Sequence, residues 1–113
     1  MRLLLLILAC GLLYGCATSP TGRSQLMLVS PESAIVESKK AYISTVGELG
    51  KQDKLLNDPA LSKRVATITG RLVTVAIQKF PASARWEWSV AIVDDPKVVN
   101  AWCMAGGRMA VYT

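Results

Sequence analysis

The chain has 113 residues, a formal net charge of +5, a hydrophobic share of 51% and no histidine. Without histidine these residues can build neither a Ser-His-Asp nor a Cys-His nucleophile, nor a histidine-containing zinc site. The cations are scattered from Lys39 and Lys40 to Arg108; that argues against a nucleic-acid surface and leaves mild attraction to anionic lipid headgroups.

Residues 1–15 read as a lipoprotein signal peptide. Met1-Arg2 is a short positive start, and Leu3 to Leu13 is an apolar run broken only by Cys10 and Gly11. That run is too short to span a bilayer. Leu13-Tyr14-Gly15-Cys16 then has the form of a lipobox, with a small residue before the cut and a thiol after it to take the diacylglycerol. Tyr14 is unusual at its position. Cys16 is the expected lipid attachment residue, so the membrane is an expected partner through that anchor. Ala17, rather than Asp, follows it. By resemblance to enterobacterial lipoproteins, this implies the outer membrane, facing the periplasm.

Cys10 lies in the leader and Cys16 carries the lipid. Cys103 is then the remaining thiol of the mature segment, and no internal disulfide can form. Between its apolar neighbours it is expected to be buried and inert.

Residues 16–29 read as the lipidated Cys and a tether: Ala17 to Arg23 is small, polar and turn-rich, and Ser24 to Val29 is a short apolar run that could pack or pair. Residues 30–113 form the globular part. Ser30-Pro31-Glu32 starts a helix, with Ile35, Tyr42, Val46 and Leu49 on one face and an end near Gly50. Lys51 to Asn57 is a polar connection. Asp58-Pro59 starts a second helix in the same way. Its stripe of Leu61, Val65, Ile68, Leu72 and Val75 is expected to pack on the domain's own sheet. Gly70 suggests a close neighbour at mid-helix. Phe80-Pro81 ends that helix. Trp86, Trp88, Val90 and Ile92 then alternate with Glu87, Ser89 and Ala91, which predicts a strand with one buried face. Val98 to Met104 is extended again. Gly106-Gly107 supplies a tight turn, and Met109 to Thr113 returns as a strand. Helices followed by strands define an α+β class: two N-terminal helices, then an antiparallel strand and hairpin.

Asn100-Ala101-Trp102, Gly106-Gly107 and the apolar run into Tyr112-Thr113 resemble a signature of zinc metallopeptidases. These are the relatives of HtpX, of the mitochondrial Oma proteases and of the CAAX prenyl endopeptidases, metallopeptidase family forty-eight, of gluzincin type. Thr21 to Ser30 is similar to the opening of the bacterial lipoprotein members. Asp58-Pro59 with its helix, and Trp86 to Val93 as a strand, sit where that family has them. The family has Pro where this chain has Ala105. The resemblance implies the start of a gluzincin-type domain that the chain does not complete. It implies zinc, held by a His-Glu-x-x-His helix and a later Glu expected past Thr113; these residues alone would be inactive, with no catalytic or metal-binding residue among them. It also implies that Asn100, Ala101 and Trp102 contact substrate as an edge strand, the substrates being unfolded or misassembled envelope proteins. Taken without the resemblance, Trp102 is a core residue and Asn100 caps the turn after Asp94-Asp95-Pro96. The rival to a protease is a complete, non-catalytic lipoprotein acting as a binding or assembly factor.

Overall fold

The computed structural model describes residue 1, residues 16–19 and residues 21–113. The leader after Met1, with the lipobox residues before Cys16, lies outside the described residues. The chain divides into two units, Met1–Ser30 and Pro31–Thr113.

In the first unit, strand β1 (Cys16–Thr18) pairs antiparallel with β2 (Ser24–Leu26). The turn between them closes through hydrogen bonds from the Gly22 amide to the Ser19 carbonyl (2.9 Å) and from the Ser19 amide to the Arg23 carbonyl (2.7 Å). The expected tether is therefore a small hairpin, because its turn residues bring two three-residue segments into register. The Ser24 run does pair, as its apolar character allowed.

The second unit holds helix α1 (Pro31–Lys51), helix α2 (Pro59–Lys79), a 3-10 turn (Pro81–Arg85) and strands β3 (Ser89–Val93), β4 (Ala101–Met104) and β5 (Arg108–Tyr112). This is the expected α+β class. The Asp58 carboxylate accepts from the Leu61 amide at 3.0 Å and caps α2. Such a cap satisfies one of the orphan amides of a first turn.

The sheet order is β3-β5-β4, with β4 antiparallel and β3 parallel to β5. The hairpin is as expected; the parallel partner is set by the 94–100 connection. It carries the chain past the end of β5, a distance of about 10 Å for two strand spacings. The last strand then inserts between the other two. Val93 and Ala110, 0% and 1% exposed, mark the centre of the packing.

Strand β3 starts three residues later than expected. Trp86 leaves the 3-10 turn, and the Trp88 indole N–H donates back to the Ser83 carbonyl at 2.9 Å. Phe80, Trp86 and Trp88 pack ring against ring in succession, the first pair edge-on and the second tilted, with centroids 5.8 and 5.4 Å apart. Their ring contacts and that hydrogen bond override the alternating pattern at residues 86–88.

Side chains alternate between the faces of a strand. One face, with Trp102, Met104, Arg108 and Ala110, meets α1: Tyr42 sits edge-on to Trp102, with centroids 5.8 Å apart and planes at 75°, and its hydroxyl donates to the Met109 carbonyl at 3.3 Å. The other face, with Val90, Ala101, Cys103, Met109 and Val111, lies on the side of α2. There α2 stands off. Ile68, Leu72 and Val75 remain 49%, 66% and 47% exposed. The expected packing of the stripe on the sheet is met only in part, by half-buried Leu61 and Val65. Among the described residues the anticipated neighbour at Gly70 is absent: a Cβ there would meet nothing within 4 Å.

Arg108 is buried, 5% exposed, under the hairpin. Its Nη2 donates to Glu87 Oε2 at 2.6 Å, and its Nη1 is buried without a partner among the described residues. Glu87 is two-thirds exposed and also accepts from Lys39 at 3.3 Å. The Lys39 hydrogen bond first, and that of Arg108 second, hold the Glu87 carboxyl below its ordinary value. A depressed carboxylate stabilises the fold above its unfolded value, and that contribution is lost as pH falls through the folded value. Wild type should therefore be more stable than Glu87→Gln at neutral pH, and the gap should close below about pH 4.5. Arg108→Met should be neutral or stabilising, since it removes a buried donor that has no acceptor. Thermal unfolding of the variants across pH checks both; a constant gap would contradict the first, and a large loss in Arg108→Met the second.

Candidate functional site

The two edges of the sheet are not equivalent. Beyond β3, residues 54–56 run alongside: the Leu56 amide donates to the Ile92 carbonyl at 2.9 Å, and the Asp94 amide to the Lys54 carbonyl at 2.8 Å. Leu55 forms a bridge with Val93, and the Lys54 ammonium binds Asp95 at 3.0 Å. The connection expected to be merely polar thus closes that edge. Among the described residues, strand β4 has no neighbour on its outer side.

Which main-chain groups β4 presents follows from its register. Tyr112 donates to the Asn100 carbonyl at 3.1 Å, and Trp102 stands opposite Ala110. Hydrogen-bonded pairs alternate with non-bonded pairs in an antiparallel ladder. Asn100, Trp102 and Met104 therefore turn their main-chain groups toward β5, and Ala101 and Cys103 turn theirs outward. The outward Ala101 N–H donates to Asn100 Oδ1 at 2.8 Å. The Cys103 N–H and both outward carbonyls point away from the sheet.

The three residues singled out in the sequence fall side by side here, with different jobs. Trp102 is half-buried and its ring packs on Tyr42 under α1, as core alternation would have it. Asn100 satisfies the first outward amide of β4, not the 94–96 turn. Ala101 is exposed and lines a groove of about 590 Å³ between α2 and the open face of the sheet. Cys103, Met109 and Val111 continue its floor, Leu61, Val65, Ile68 and Leu72 form its wall, and Arg64 stands at its lip.

Cys103 corrects the expectation of a buried thiol: it is exposed. Its neighbours Trp102 and Met104 take the α1 side, so alternation turns Cys103 to the face that α2 leaves open. Desolvation by its apolar surroundings pushes the thiol above its ordinary value, so it is mostly protonated at neutral pH. Sequence reasoning missed it as a groove residue because an apolar-flanked Cys reads the same in a core as at an uncovered edge.

Among the described residues, no group of three or more His, Cys, Asp or Glu could hold a metal ion. The described residues alone do not fit a zinc site. Among them, too, no helix is long and apolar enough to cross a membrane. No protein-family model, curated protein or solved structure matches the chain.

Proposed function

We propose that this chain is the front part of a lipid-anchored zinc metalloendopeptidase of the bacterial cell envelope, held by Cys16 at the outer membrane and facing the periplasm. In this reading β4 receives an extended segment of an unfolded or misassembled envelope protein as an added strand. Strand addition of this kind draws affinity from main-chain groups and selectivity from side-chain pockets. The supporting observation is the Asn100–Thr113 hairpin, whose first strand is an open edge beside an apolar groove. Ala101 and the main chain of Cys103 would make the contacts. Trp102 would hold the strand from behind, and Asn100 would fix its first amide. Cleavage requires the zinc ligands that the resemblance expects past Thr113. A non-catalytic lipoprotein that binds such segments is the second reading, favoured by a groove that needs no metal to hold an apolar chain.

The Cys103 thiol is the natural probe. In the native protein a small maleimide should modify it slowly but to completion in mildly alkaline buffer, through the minor thiolate fraction. A saturating short peptide of alternating valine and threonine should slow that reaction several-fold. Equal rates with and without peptide would remove strand addition at β4 from consideration.

A further inference from the structure

The cations of the folded unit are distributed unevenly with respect to acids. On α1, Lys40 pairs with Glu37 and Lys51 with Glu48. Lys39 and Arg108 share Glu87, and Lys54 holds Asp95. Helix α2 differs. It carries Lys63, Arg64, Arg71 and Lys79 and no Asp or Glu. None of these four has an ion pair among the described residues.

One of the four stands at the groove's lip, and a second shares its side of the helix. Arg64 lines it, and Arg71 follows two turns later on the same side of the helix, about 10 Å along the axis. Both are exposed. Among the described residues, no carboxylate lines the groove. An occupant therefore meets an apolar floor and wall, an edge strand with outward main-chain groups, the Arg64 guanidinium at the lip and that of Arg71 further along the same side of α2, neither with an ion pair among the described residues.

We infer that the groove selects acidic-apolar polypeptide segments: an extended stretch whose groove-facing side chains are apolar, with a carboxylate among them turned toward Arg64 and Arg71. This rests on the proposed strand addition at β4 and adds its charge selectivity. Guanidinium groups recognise carboxylates with bidentate geometry. The outward main-chain groups of β4 favour a polypeptide over a lipid, which has no strand to pair.

The test uses the full chain and three labelled peptides. They share the same alternating apolar residues and carry Glu, Gln or Lys at one groove-facing position. Fluorescence anisotropy reads binding to wild type and to the Arg64→Gln/Arg71→Gln variant, whose fold is checked by circular dichroism. The Glu peptide should bind wild type about threefold to tenfold more tightly than the Gln peptide, as two exposed ion pairs allow. The Lys peptide should bind more weakly than either. The double variant should bring all three within about twofold, and salt of about 0.5 M should have a similar effect on wild type. If the three peptides bind wild type equally, the charge selectivity is wrong and the β4 site stands. If none binds, the strand-addition reading fails and the inference with it. A preference that survives in the variant overturns the assignment to Arg64 and Arg71. Vesicles rich in phosphatidylglycerol form the last arm: binding lost in the variant, without any peptide preference, would give the lip to a membrane and overturn the proposal.

Discussion

Replacing Gly107 by alanine should destabilise the Pro31–Thr113 unit by about 2–5 kcal/mol, from two separable causes. Gly107 sits at φ +84, a backbone region that L side chains rarely adopt; holding a Cβ there costs about 1–2 kcal/mol. A Cβ at this position would also lie 2.5 Å from Trp88 Cε3 and 2.7 Å from Cδ2. The indole cannot retreat freely, because its N–H is tied to the Ser83 carbonyl and its ring packs, tilted, against Trp86. Overpacking of this kind costs roughly 1–3 kcal/mol. A domain of this size has a total stability of only about 4–12 kcal/mol, so the variant should unfold well below wild type. Gly106, at φ +90, should be more tolerant, since its nearest contact is the Ile35 Cγ2 methyl at 2.9 Å, a side-chain end that can move. Urea unfolding of single variants and of Gly107→Ala in a Trp88→Ala background separates the causes. In that background only the backbone part, about 1–2 kcal/mol, should remain. A Gly107→Ala variant as stable as wild type would mean that the hairpin does not turn at Gly106-Gly107 as described.

The second large effect is all-or-none. Cys16→Ser should abolish lipidation and release the protein from the membrane fraction. Diacylglycerol transfer needs a thiol, and a serine hydroxyl in the same place is far less nucleophilic at neutral pH. Cys10 cannot substitute, because the apolar run before it is too short for a leader ending there. A single acyl chain binds membranes only marginally, whereas a doubly acylated anchor holds firmly. On the lipoprotein reading, losing the Cys16 diacylglycerol therefore moves the protein from bound to soluble rather than merely weakening it. Metabolic labelling with a palmitate analogue, followed by fractionation, measures both. Equal labelling of wild type and variant would remove Cys16 as the anchor.

Local chemistry was legible in the sequence. Pro31 and Pro59 open their helices at those residues, and Asp58 caps the second because its carboxylate can reach the Leu61 amide. Gly106-Gly107 makes the turn between β4 and β5 because both glycines are needed at positive φ. Each of these depends on residues a few positions apart, so spacing alone carries the information. The α+β class follows from the order in which such signals occur.

What the sequence could not decide depended on distance across the fold. The apolar stripe on α2 has the same period whether it is covered or left open, and only the stand-off of α2 from the sheet decides that Ile68 and Leu72 line a groove. The alternation from Trp86 onward signals a strand, yet the Ser83 carbonyl and the neighbouring rings delay its start to Ser89. Nothing near Lys54 to Leu56 indicates that this segment closes the edge of β3 and thereby leaves β4 as the free one. Asn100, Ala101 and Trp102 could be picked out as a group. Their division of labour, with one residue capping an outward amide, one lining the groove and one packed beneath α1, was fixed by the pairing of β4 with β5 and by the helices on either side. Residue type and spacing set what each segment can form; which face stays open is settled by partners far away in the chain.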